Sequence, residues 1–539
     1  MSQLLVKNLL KNHFSTQILT DLDVDSLKNE KDVISEAYEK IVDKGKRKKH
    51  AQFFTHKELV NFILLNVPIT NKSKILDPSC GTGAFLIEAY TRNGHKIDNL
   101  YGMDIDNAAL KLCSTNLKEK SQANTLHLKN TNTLKNSLSK IFPEVAAEGG
   151  FDIIVGNPPF QNLNKNVDFF EDDSIYKEVL SGVANSATLM IAKSYEFLKE
   201  GGYLGFVLPK NIIRVDSFNV LRKFLINNTR LVCIYDIDHY FKDVRCDQII
   251  LIFQKKKLSS EEIKDNKVKI LVYKKNLDFN TPYSYELSQS VFSKYDFYPI
   301  FYHKEVFPLA ERFFSFNSTL ENVTNGEIFR GITISTNSPI ISKNQIKNTI
   351  KILRGDSIQR FGKKYNLFID LRGLNGQQKD KLYRLKTKKI VLQNLCSKEG
   401  GIFATISGSD ELSLDTVTNI ISKDVPLEYL LGILNSKISN FFITFVIFLN
   451  SNFTMHTDKK YIGQIPIVIP EKIKIDEIVK IVSKLQNIKD KYSSEFFEYY
   501  DLLNVKLYDI YGLNEKEKEI INRLLKEVMS KRQNGRKNE

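Results

Sequence analysis

The chain has 539 residues, too long for a single compact core and long enough for two or more domains. Its 78 Lys plus Arg against 63 Asp plus Glu leave a formal charge of +15, which favours a polyanionic partner because each neutralised phosphate releases condensed counterions. Five scattered cysteines (Cys80, Cys113, Cys233, Cys246, Cys396) form no CxxC pair and no Cys/His cluster of zinc-ligand spacing, which argues against a disulfide scaffold or structural zinc and for free thiols in a reducing compartment.

In chain order, residues 1–50 read as a polar, helical segment ending in the basic run KGKRKKH at 44–50. Its start, MSQLLVKNLLKNHF, has neither the apolar core nor the small-residue cleavage site of a signal peptide. From residue 74 to about 255, short β-rich runs alternate with amphipathic stretches. The predicted strands are KILD (74–77), LYGMD (100–104), TLHLK (125–129), FDIIVG (151–156), YLGFVLP (203–209), RLVCIYDI (230–237) and QIILIFQ (248–254). Helical patterns such as GAFLIEAYTRN, NAALKLCSTNLKEK and SFNVLRKFLINN lie between them. Nearly continuous apolar strands in a β-α-β alternation predict an α/β fold: a doubly wound, Rossmann-like, mostly parallel sheet covered on both faces. The last two strands are only about ten residues apart, too few for a helical crossover, so one strand should run antiparallel.

From about Lys255 the charged stretch KKKLSSEEIKDNK leads into mixed strands and isolated glycines up to Pro470, and apolar residues at three- and four-residue spacing resume from Glu471. Four regions are expected: an N-terminal segment 1–50, an α/β domain 51–257, a mixed α+β domain 258–470 and a helical region 471–539. The longest apolar run, 441–449, is about half of what spans a bilayer, so no membrane partner and a cytoplasmic location are expected.

The first strand runs through the small-residue turn DPSCGTG into a helix. Gly81 and Gly83 allow the backbone to approach a ligand closely, and Asp77 can accept from, or pair with, a cationic ligand group. Asp104 ends the next strand twenty-one residues after Gly83, where a Rossmann-type site holds ribose hydroxyls; Ile105 follows as an apolar surface for an adenine face. The loop is not G-x-G-x-x-G, and no G-x-x-x-x-G-K-[ST] occurs, which disfavours a dinucleotide or a P-loop triphosphate. A nucleoside carrying an amino acid in place of phosphate fits better; the alternative is a tight turn with no ligand.

The fourth strand ends in Gly156-Asn157-Pro158-Pro159-Phe160, and carboxyl ends of strands line the crevice of an open α/β sheet. The prolines remove donors and fix φ, leaving rigid carbonyls. Asn157 Oδ1 and the Pro158 carbonyl form a pair of acceptors suited to an exocyclic NH₂, and Phe160 offers a face for a planar base. A plain strand terminator is the bland alternative.

DPSCGTGAF, YGMDID and GNPPF, in that order, resemble the cofactor and catalytic motifs of gamma-class N6-adenine-specific DNA methyltransferases of restriction–modification systems. QFFTHKEL (52–59) resembles the segment that closes over the methionine end of the cofactor, and YFKDVRCDQIILIF (240–253) the segment that supplies an aromatic contact to a flipped base. The match is close over 50–255 and looser through FRGIT (329–333), ILRGD (352–356), KIVL (389–392) and LLGILNS (430–436), which are similar to the family's target-recognition region. The resemblance implies S-adenosyl-L-methionine as methyl donor, no metal, and double-stranded DNA as partner. It implies cofactor contacts from Phe54, Thr55, Asp77, Ser79, Cys80, Gly81, Gly83, Asp104, Ile105 and Asn157. Asn132 stands where the family often has an acidic residue near the cofactor adenine. Asn157, Pro158, Pro159 and Phe160 take catalytic roles, with Phe160 and Phe241 stacking on the target base. Phe160 replaces a more frequent Tyr and keeps the ring.

On the same resemblance, 258–470 becomes the DNA target-recognition domain. The fifty residues before the first motif are too few for a fused nuclease domain, which leaves both a separate restriction endonuclease and a solitary methyltransferase open. Arg330, Arg354, Gln359, Arg360, Gln377 and Gln378 are polar candidates for reading bases, with no pattern that selects among them. N4-cytosine transfer, methylation of RNA or protein glutamine, and a catalytically silent DNA-binding subunit are the competing readings.

Overall fold

The predicted strands assemble into one sheet: β1 (Ile75–Asp77), β2 (Leu100–Asp104), β3 (His127–Asn130), β4 (Phe151–Gly156), β5 (Leu198–Pro209), β6 (Arg230–Asp238) and β7 (Gln248–Gln254). The computed structural model describes residues 55–92, 96–121, 126–163, 174–180, 184–238, 246–274, 278–365, 367–451 and 455–535. Phe54, Phe241 and the basic run 44–50 lie outside the described residues.

Strand order is β3-β2-β1-β4-β5-β7-β6, continued by β8 (Lys267–Val272) and β9 (Tyr283–Ser288). β1 pairs in parallel with β2 on one side and β4 on the other, so the winding reverses at β1 and a crevice opens at the carboxyl ends of β1 and β4. β7 is antiparallel to both β5 and β6, as the short connection demands. β9 is a second antiparallel strand, paired with β8 at the sheet edge.

The chain divides into two compact units at Ile300/Phe301, not at 257. The charged stretch after β7 is an exposed connection within the first unit. Ser259 and Glu262 close a capping box on the short helix Ser260–Asp265, and the chain then returns to the sheet as β8. Charge there marks solvent exposure, not the end of a domain.

Helix α1 (Lys57–Leu65) buries Leu59, Val60, Phe62, Ile63 and Leu64, the stripe that KELVNFILL places on one side. It packs on β4, β5 and β7. Ile63 sits where β5 has Gly205; a Cβ there would lie 2.5 Å from Ile63 Cγ2. Helices α2 (Ala84–Arg92) and α3 (Asn107–Ser121) follow β1 and β2, and α4 (Ser186–Phe197) and α5 (Asn219–Asn228) flank β5. Every residue of α4 from Ser186 to Ser194 is buried, so it lacks the amphipathic contrast that reveals a surface helix.

The second unit contains two four-stranded sheets. One is built from Ile328–Arg330, Val417–Ile420, Lys389–Gln393 and Ala404–Ser407, the other from Ile341–Ser342, Phe368–Asp370, Thr349–Leu353 and Glu411–Ser413. The helices Lys472–Asn487, Ser494–Ile510 and Glu515–Gly535 belong to this unit rather than to a separate region. Leu427–Asn435 packs on Lys472–Asn487, with Gly432 leaving room for Ile478 and Val482. The apolar run 441–449 is buried inside the unit. Among the described residues no single helix is long and apolar enough to cross a membrane.

Gly205→Val should force α1 off the sheet, because the clash is with a buried branched methyl rather than a flexible chain end. A loss of about 1–3 kcal/mol is expected in denaturant unfolding. An unchanged unfolding midpoint would show that α1 can shift freely.

Candidate active site

The DPSCGTG loop is held from β2 and from the turn that follows β3. Cys80 N–H donates to the Met103 carbonyl at 2.9 Å, and Gly81 N–H to Asp104 Oδ2 at 2.8 Å. On the other side of β2, the Thr133 hydroxyl donates to the Pro78 carbonyl at 2.6 Å. Asp104 Oδ1 accepts from Asp106 N–H at 2.8 Å, and Asp77 Oδ1 from Ser79 N–H at 3.0 Å. Two carboxylates are thereby fixed at the ends of β1 and β2.

The two glycines differ in purpose. Both have positive φ, +51° at Gly81 and +96° at Gly83. A Cβ on Gly83 would lie 2.6 Å from Cys113 Sγ on α3, whereas a Cβ on Gly81 would meet nothing within 4 Å. Gly83 is required by packing, and Gly81 by backbone conformation on an open face. Cys80, expected to touch the cofactor, turns its thiol toward Cys113 and is 5% exposed. Its N–H is taken by the Met103 carbonyl.

Burial pushes the Asp77 carboxyl up to about 8; the Ser79 N–H opposes this and the charge of Asp104 adds to it. Burial raises Asp104 in the same way, against hydrogen bonds from Asp106 and Gly81. Gly156 borders this pair, since a Cβ there would lie 2.9 Å from Asp77 Oδ1. Ser79 Oγ is buried without a hydrogen-bond partner. Ile105, the residue after β2, is 56% exposed despite its aliphatic side chain. Such a set suits a ligand with an ammonium group for Asp77, ribose hydroxyls for Asp104 and an adenine face for Ile105. Asn132 Oδ1 caps the turn Thr133–Lys135 by accepting from Leu134 N–H at 3.0 Å, which leaves it one lone pair.

Asn157 follows β4 on the same edge. Its Nδ2 donates to Thr55 Oγ1 at 3.2 Å, and its Oδ1 is buried with no partner. Thr55 is 8% exposed and lies two residues before α1, so the docking of that helix sets the orientation of the amide. Pro158 is buried, and Pro159 and Phe160 are half-buried. Ser186, at the start of α4, was not legible as a site residue. Its hydroxyl donates to the Pro159 carbonyl at 2.6 Å and accepts from Gln161 N–H at 2.8 Å, bracing the turn from a distant helix. No local motif marks it. Of the expected site residues, Thr55, Asp77, Ser79, Gly81, Asp104, Ile105 and Asn157–Phe160 gather along this edge. Phe54 and Phe241 lie outside the described residues.

Most polar candidates of the second unit have internal partners. Arg330 forms a two-point pair with Asp458, at 2.7 and 2.8 Å, and Arg354 is paired with Asp356. Arg360 lies over Phe403 and Tyr500 and donates to the Gly400 carbonyl. Gln378 closes a capping box with Asn375. Gln377 is exposed.

Comparison with known proteins agrees with this geometry. The profile of the N-6 DNA methylase family matches residues 29–328, and that of the TaqI-like C-terminal specificity domain matches residues 350–467. The type II methyltransferase M.VspI of Vibrio sp. is 29% identical over 211 residues, covering 39% of this chain and 49% of that protein. A putative type II restriction enzyme and methyltransferase of Methanocaldococcus jannaschii, RM.MjaORFECS2P, is 25% identical over 434 residues, 76% of this chain and 35% of that one. The chain thus spans half or less of these relatives' own length. Among solved structures, the type IIL restriction–modification enzyme MmeI in complex with DNA superposes with a TM-score of 0.61 at 11% identity, over 93% of this chain and 82% of MmeI, a likeness of fold.

A ligand ammonium group seated at Asp77 must displace a proton at neutral pH, because the carboxyl otherwise ionises only near 8. Affinity for S-adenosylmethionine should therefore rise between about pH 6 and pH 7.5, by up to about tenfold per unit, with proton release in calorimetry. A flat profile without proton release would place the ammonium group elsewhere.

Proposed function

Because this chain belongs to the N-6 DNA methylase family, we propose that it transfers a methyl group from S-adenosylmethionine to N6 of an adenine rotated out of duplex DNA, as the modification enzyme of a restriction–modification system. The observation that carries this reading is the Asn157 amide. Its nitrogen is tied to Thr55 and its buried oxygen has no partner. An unpaired buried acceptor costs roughly 1–3 kcal/mol, a cost removed when a donor arrives.

The residues present fit the donor: Asp77, Asp104, Ile105 and the orphaned Ser79 hydroxyl would hold its amino-acid, ribose and adenine parts. Bound there, S-adenosylmethionine supplies an electrophilic methyl group. The chain's own residues do the rest. Asn157 Oδ1 and the Pro158 carbonyl accept the two amino hydrogens of the target, which turns the nitrogen lone pair out of the ring plane. The same two oxygens stabilise the positive charge that develops on N6. The half-buried Phe160 ring offers a stacking face, which a base can reach only after leaving the helix. Rate then depends on positioning.

The match of residues 350–467 to a specificity domain supports recognition of the DNA sequence by the second unit. The reading implies a restriction endonuclease of matching specificity as functional partner. Adenine, rather than cytosine, as the acceptor rests on the family and on the Asn at 157.

Labelled S-adenosylmethionine and unmethylated DNA, followed by nucleoside analysis, should give label in N6-methyladenine. Label in N4-methylcytosine would move the acceptor to cytosine; label in RNA or protein, or none, would overturn the reading. Asn157→Ala should lower transfer by about 10²–10³-fold while cofactor affinity stays within about threefold. Full activity in that variant would remove Asn157 from the mechanism.

A further inference from the structure

The edge that carries Asn157 continues across the ends of β5, β7 and β6. Gly156 of β4 pairs with Phe206 of β5, and β5 runs on to Pro209, which pairs with Gln248, the first residue of β7. A base held at Asn157 and Phe160 has these strand ends as its neighbours on that side, with adjacent strands roughly 4.8 Å apart. Buried among them is an ion pair that the cofactor and acceptor sites do not use. Lys210 Nζ lies 2.7 Å from Asp236 Oδ2, and each side chain is 5% exposed.

The pair gathers four chain segments. Lys210 is the residue after β5, and its N–H donates to the Asp247 carbonyl, just before β7, at 2.8 Å. Asp236 stands near the end of β6. Its Oδ1 accepts from Asp238 N–H at 3.1 Å, and its carbonyl accepts from Tyr273 N–H, after β8, at 2.8 Å. The register of β6 against β7 shifts between Asp236 and Asp238, and Asp238 has a left-handed φ of +53°. A bulge of this kind re-aims a strand end and persists only where its surroundings over-determine it. Asp238 and Asp247 add their charge around the same ammonium group.

Stability alone does not account for the arrangement. A buried pair of this type is commonly replaced by apolar residues of similar volume without loss of stability, whereas charges with directional bonds select one arrangement of strand ends. We propose that the Lys210–Asp236 ion pair is a positioning device for the acceptor base, locking the ends of β5, β6 and β7 into the wall beside the Asn157 turn. The proposal rests on the methyl-transfer reading above. The residues that surround the pair, Asp238, Asp247 and Tyr273, are not part of the donor loop, so the effect is assigned to the base and not to the cofactor.

The test begins with wild-type protein, whose N6-methyladenine product establishes the reading independently and whose methylated site is mapped by sequencing. Lys210→Met/Asp236→Leu removes both charges at similar volume, and Asp236→Asn removes one with the shape kept. Each is measured for thermal midpoint, cofactor Kd, and kcat and KM on the mapped site. Each is also measured for fluorescence of 2-aminopurine placed at the target adenine. The expected result for the double variant is a thermal midpoint at or above wild type and cofactor Kd within about twofold, with kcat lowered by about ten- to a hundredfold and a weaker 2-aminopurine signal. A double variant with wild-type kcat and 2-aminopurine signal overturns the proposal. So does a series in which activity falls only in step with the thermal midpoint, which assigns the pair to the fold alone. If the double variant does not fold, Asp236→Asn is judged by the same two readings.

Discussion

Asn157 can offer a substrate either face of its amide, and the hydrogen bond from Nδ2 to Thr55 Oγ1 decides that the face on offer is the oxygen. Thr55 reaches it only because α1 docks on the sheet, which requires Gly205 beneath Ile63. The prolines that follow remove the donors that would compete for the same oxygen, and Ser186 takes the Pro159 carbonyl, so the turn has one orientation. A contact made from opposite parts of the first unit thus becomes a preorganised acceptor. The unsatisfied Oδ1 is the residue of that organisation, a cost borne by the protein until a donor reaches it.

The cofactor side follows a complementary logic. Asp77 and Asp104 are buried near one another, so their charges are unfavourable until a cation and hydroxyl donors share the space. The loop that follows Asp77 is tied to β2 because its amides point inward to Asp104 and Met103. One edge of the sheet therefore presents buried acidic groups beside an amide oxygen without a hydrogen-bond partner. The two sets of groups are brought to one edge by the reversal of winding at β1, which no single motif encodes.

In the second unit, charge is spent largely within the fold. Arg330, Arg354 and Arg360 are held by Asp458, Asp356 and two aromatic rings. Gln377, by contrast, is exposed.

Strand positions, the antiparallel β7 and the order of the motifs were legible in the chain because apolar runs, glycine turns and proline pairs act through local physics. β1, β2, β4 and β7 fall within a residue of the predicted runs. What the chain alone could not reveal involves partners far apart in sequence. Charged residues after β7 resembled a domain boundary, yet only pairing with β6 shows that β8 extends the sheet. α4 was hidden because a helix buried all round has no polar face, and with it Ser186. Gly83 and Cys80 carried ligand-facing expectations from their motif, and the approach of α3 adds a packing constraint at both: the Cys80 thiol meets Cys113, and a Cβ on Gly83 would meet the same sulfur. Residue types and spacing determined which chemistry this protein can do. Which atoms face the crevice was decided by tertiary packing, because orientation depends on neighbours that sequence distance does not reveal.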